Sequence, residues 1–290
     1  MLAEFRVKDF RSLREEAVIS FIPSSRLRKT KSLIETGCKE IPSLLPFLLV
    51  YGDETEGRND LHLALDLFFY YLEELDRHHK KGEDIFDTER YKNLIYFSNK
   101  FPRFEGTFVI EDTAIMVEVS VEMIHDKMRW KAVSCPFFYR LKQPKEEQDF
   151  TLSKRFITIH DLYPEDKRVI DLLEVFKVAR KDEDTINKTW EEIKDYIEFR
   201  KGSQCLCFTD DSSLMTKKEV RKDMIYFMDT DHRTMTTEVY SLMQFKEEKG
   251  DCKNNLAFLY EEGIYGAVPM ISPKGHYDWP FWRSYKETTL

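Results

Sequence analysis

The stretch Leu48-Leu49-Val50-Tyr51-Gly52-Asp53-Glu54-Thr55-Glu56-Gly57-Arg58-Asn59-Asp60-Leu61 decides how the rest of the chain is read. An apolar run leads into two glycines set five apart, and an amphipathic segment, residues 61–75, follows. That is the spacing of the phosphate-binding loop G-x-x-x-x-G-K-[ST], which cradles phosphate with backbone N–H groups at a helix N-terminus. The chemistry differs from the spacing. Arg58 stands in the lysine place, Asn59 in the Ser/Thr place, and Asp53, Glu54 and Glu56 lie in the loop itself. One carboxylate about 5 Å from a phosphate opposes it by roughly 3 kcal/mol at an effective dielectric near 20.

Working outward, the 290 residues suit one large domain or two small ones, and 42% apolar content supports a sizeable core. No apolar run reaches the length of a membrane span. The opening Met1-Leu2-Ala3-Glu4-Phe5-Arg6-Val7-Lys8 alternates charge and apolarity like a strand, unlike a signal peptide. Five scattered cysteines read as reduced thiols of a cytoplasmic protein. Cys205 and Cys207 alternate along one run and are expected in a core, not on a metal. A net charge of −8 argues against non-specific nucleic-acid binding.

The periodicity predicts two short strands within residues 1–21 around a turn at Phe10-Arg11-Ser12, a buried strand over 44–51 and a helix over 61–75. An exposed connection is expected over 76–90. Residues 104–121 alternate well and, with 128–133 and 137–141, predict an antiparallel sheet inserted at about 104–142. A strand over 155–159, helices over 169–179 and 187–199, and strands over 204–209 and 223–228 follow. The fold class is therefore α/β with an antiparallel excursion.

Several segments together resemble the stand-alone bacterial AAA-type ATPase-core family, relatives of the ABC and SMC ATPase heads. Phe5-Arg6-Val7-Lys8-Asp9-Phe10-Arg11-Ser12 looks like that family's first strand and turn, and residues 44–65 continue through the loop. Phe156-Ile157-Thr158-Ile159-His160-Asp161 resembles its Walker B strand, and Gln204-Cys205-Leu206-Cys207-Phe208-Thr209-Asp210 the strand ending in its switch histidine. Gly263-Ile264-Tyr265-Gly266-Ala267-Val268-Pro269 matches its C-terminal pattern. The resemblance implies a P-loop core over residues 1–271, followed by an aromatic tail, residues 272–290.

The departures from that family carry the functional expectation. Beyond Arg58 and Asn59, His160 aligns with the Walker B aspartate, Asp161 with the glutamate that polarises water, and Asp210 with the switch histidine. No Ser-Gly signature precedes Phe156. The degenerate loop residues Gly52, Gly57, Arg58, Asn59 and Asp60, with His160, Asp161 and Asp210, thus read as a decayed nucleotide site with no resident cofactor and no metal. The expected role is a non-catalytic binding or regulatory subunit, with a protein partner that is a second copy, an intact ATPase relative or a nuclease-like protein. Resemblance suggests a phage-defence or mobile-element setting. The alternative is a weak but genuine ATPase that binds ATP and Mg²⁺, with Arg58 as phosphate clamp and Asp161 at the metal or base position.

Bland readings compete at each remaining motif. Asp210 and Asp211 suit the cap of a following helix. His78-His79 lies in a charged run without a second ligand pair. His276-Tyr277-Asp278-Trp279-Pro280-Phe281-Trp282-Arg283-Ser284-Tyr285 reads as a tail packed on its own domain, or else as a docking surface rich in Trp, Tyr and Arg.

Overall fold

The computed structural model describes residues 1–27, 32–52, 56–79, 101–110, 112–124, 127–136, 176–179, 204–231, 233–245 and 256–267. Their strands run in chain order as β1 (Leu2–Lys8), β2 (Ala17–Ser20), β3 (Ile34–Glu35), β4 (Ser43–Leu44), β5 (Phe47–Gly52), β6 (Arg103–Ile110), β7 (Thr113–Ile124), β8 (Lys127–Pro136), β9 (Phe176–Ala179), β10 (Gln204–Phe208), β11 (Ile225–Asp231) and β12 (Thr236–Ser241). Two α-helices are described, α1 (Glu56–His79) and α2 (Leu256–Glu261). Among the described residues the fold is mixed, mostly strands with few helices.

One five-stranded sheet has the order β12-β11-β5-β10-β9. β5 is its centre, parallel to β10 through Leu48↔Leu206 and to β11 through Val50↔Tyr226. All six residues of β5 are buried, as expected of a strand covered on both faces. β9 pairs parallel with β10, and β12 closes the other edge antiparallel to β11. The second five-stranded sheet is antiparallel, in the order β2-β1-β6-β7-β8. The strands expected as an insertion therefore extend the N-terminal hairpin β1–β2.

α1 lies between the sheets, touching β11 on one side and β7 and β8 on the other. Leu61, Ala64, Leu65 and Phe68 recur at helical spacing and are fully buried. Phe68 meets Phe5 at 5.4 Å between ring centroids and stacks on Phe108 at 6.1 Å. His62 Nδ1 lies 3.1 Å from the Asp66 carboxylate, an i,i+4 pair.

Polar side chains sew the sheets together. Gln204, wholly buried, accepts the Leu2 N–H and donates to the Leu2 carbonyl, both at 2.8 Å. The Tyr226 hydroxyl accepts the Ser20 N–H at 3.1 Å. A buried amide that satisfies both backbone groups of one residue avoids the roughly 1–3 kcal/mol cost of leaving either unmet.

Two expectations are corrected. Residues 176–179 form β9 and not the end of a helix over 169–179, and α1 runs on to His79, through the start of the stretch expected as a connection. Both follow from partners remote in sequence: β9 is held by β10, and α1 by the two sheets it touches. The strands expected over 137–141 and 155–159, the helix over 187–199 and the tail over 272–290 lie outside the described residues.

Burial also sets an alkaline limit. Desolvation pushes the Tyr226 phenol up to about 12, and it holds Tyr51 and Tyr240 well above the ordinary value of 10. A raised phenol contributes stability that is complete below pH 10 and is lost as pH climbs through the folded value. At about 1.4 kcal/mol per tenfold change in proton affinity, Tyr226 alone carries about 3 kcal/mol. Urea midpoints should fall between pH 10 and pH 12, with phenolate absorbance appearing together with unfolding. Undiminished stability at pH 12 would refute this.

Candidate functional site

The loop expected to bind phosphate begins where β5 ends, at Gly52, and α1 starts at Glu56. Strand, short connection and helix thus follow in the order the spacing predicts. Gly57, Arg58, Asn59 and Asp60 all fall in the first turns of α1, where unsatisfied backbone N–H groups gather.

Both glycines have a packing reason. A Cβ on Gly52 would lie 2.6 Å from the Met228 carbonyl oxygen and 3.0 Å from the Met228 Cβ. A Cβ on Gly57 would lie 2.4 Å from Thr237 Oγ1 and 2.8 Å from Thr230 Oγ1. Gly52 therefore lets β5 pair closely with β11, and Gly57 lets α1 approach the β11–β12 hairpin. Gly52→Ala should destabilise the fold by about 1–3 kcal/mol, because the obstructing atom is backbone of the paired strand. Urea denaturation reads this directly; an unchanged midpoint would show that the strands can separate at no cost.

Asp60 is buried, 1% exposed, and turned to the N-terminal turn. Its Oδ2 accepts the Ser12 N–H at 3.0 Å, and its Oδ1 lies 3.1 Å from Arg11 Nε. Ser12 is a junction. Its carbonyl accepts the Thr237 N–H at 2.8 Å, its hydroxyl accepts from Thr237 Oγ1 at 3.0 Å, and Thr237 Oγ1 lies 2.9 Å from Thr230 Oγ1. The turn is tight enough to hold Asp9 at φ 56° and Arg11 at φ 50°. Left-handed conformations cost non-glycine residues about 1–2 kcal/mol each, which the Asp60 and Thr237 contacts offset.

At the carboxyl end of neighbouring β10, the Thr209 N–H donates to the Val50 carbonyl at 3.0 Å. Asp210 comes next and is exposed, so it shares this end of the sheet with Gly52. Asp211 accepts the Ser213 N–H at 3.0 Å and caps the short 3-10 helix Ser212–Thr216. The Tyr51 hydroxyl donates to the Asp211 carbonyl at 3.1 Å. Burial, reinforced by the Asp211 charge, is what raises this phenol.

The structure thus brings Gly57 and Asp60 together with Arg11, Ser12, Thr230 and Thr237 and sets Gly52 against Met228, while Asn59 is exposed. His160 and Asp161 lie outside the described residues. Ser12 and Asp60 are 48 residues apart and Ser12 and Thr237 are 225 apart, so no local spacing could have joined them. The one available signal was the turn at Phe10-Arg11-Ser12. Cys205 and Cys207 are buried in β10. Among the described residues no group of three or more His, Cys, Asp or Glu side chains is arranged to hold a metal ion, and no helix is long and apolar enough to cross a membrane. No protein-family model, no curated protein and no solved structure matches the chain.

Proposed function

We propose that this chain is a P-loop-like domain that no longer carries out phosphoryl transfer and serves in the cytoplasm as a non-catalytic binding or regulatory subunit. One observation carries the reading. The central strand β5, flanked on both sides by parallel strands, delivers a phosphate-loop spacing to the N-terminus of α1. The crevice at the carboxyl ends of parallel strands is the usual ligand position of such sheets. The residues set there favour structure over catalysis. Asp60 is committed to Arg11 and Ser12, and the glycines are committed to β11 and β12. Arg58 replaces a compact ammonium with a broad planar fork, and Asn59 replaces the hydroxyl that would meet Mg²⁺. Phosphoryl transfer rests on positioning and charge stabilisation, so these changes remove its usual suppliers.

ATP turnover by the purified protein should not exceed background, with or without Mg²⁺. Steady-state phosphate release checks this, beside calorimetric titration with ATP. Turnover that disappears in Arg58→Ala would overturn the proposal and establish the weak ATPase instead. A partner, whether a second copy or an intact relative, should be sought by co-purification of the full chain.

A further inference from the structure

We draw no further inference here: the strongest candidate, the Arg11 guanidinium held beside Asp60 at the first turns of α1, rests on a helix N-terminus, and nothing else among the described residues points to a ligand there.

Discussion

Replacing Asp223 by alanine is expected to destabilise the fold by about 3–5 kcal/mol, the range for breaking a buried ion pair from one side. Asp223 is 5% exposed and its partner Arg221 is 8% exposed. The pair is bidentate, with Nε to Oδ1 at 2.9 Å and Nη2 to Oδ2 at 2.7 Å. Oδ2 also accepts the Ser24 N–H at 2.8 Å, which ties the segment after β2 to the entrance of β11. Alanine would remove the carboxylate that meets two nitrogens of a buried guanidinium and would leave the Ser24 N–H without its acceptor. The double replacement Arg221→Met with Asp223→Leu removes both charges but still leaves the Ser24 N–H unmet, so it should recover only the part of the loss due to the unbalanced charge. Urea denaturation of the three proteins measures both numbers. A loss below about 1 kcal/mol in the single variant would mean that water reaches Arg221 and the pair is not buried in solution.

Phe227→Ala should cost a similar 3–5 kcal/mol and should loosen the far end of the chain as well. Phe227 sits in β11, fully buried, at the centre of an aromatic cluster. It stacks on Tyr265 at 5.2 Å and on Tyr260 at 5.8 Å, meets Phe245 edge-on at 6.2 Å, and touches Tyr51 and Tyr240. The tyrosines keep their hydroxyls satisfied: Tyr240 donates to the Tyr265 carbonyl at 2.6 Å, and Tyr260 to the Ala267 carbonyl at 3.2 Å. This cluster docks α2 and the turn after it on the sheet. Gly263, at φ 75°, ends α2 with its N–H on the Tyr260 carbonyl, and Ile264 N–H reaches back to Leu259. Emptying the centre should therefore raise hydrogen exchange at residues 256–267 more than at β1. Phe258→Ala is the control. Phe258 is 59% exposed, and its loss should stay within about 0.5 kcal/mol. Equal exchange in both segments would mean that the cluster does not hold α2 in place.

Where the chain's own pattern sufficed, burial was local and periodic. Leu61, Ala64, Leu65 and Phe68 announce α1, and the alternation of Phe104, Phe108, Ile115, Val117 and Val119 announces β6 and β7. Phe47 to Val50 are apolar without alternation, which is what a central parallel strand needs. β9 was not legible. Its four residues continue a helix-like run, and only pairing with β10 makes them a strand. The end of α1 was misread for a related reason: Asp76-Arg77-His78-His79 has no apolar stripe, yet the helix continues through it.

For the candidate site, the sequence by itself determined the order strand, glycine, helix and the residue types at each loop position, because chain order and side-chain chemistry need no folding to be read. Only the tertiary structure decided what those residues do at the end of β5. It turned Asp60 to Arg11 and Ser12, set Thr230 and Thr237 against Gly57, and closed β5 on Met228 at Gly52. With the Ser12–Thr237 hydrogen bond beside them, these contacts span up to 225 residues. They arise because two sheets must bury α1 between them, and no spacing along the chain encodes which atoms that burial brings together.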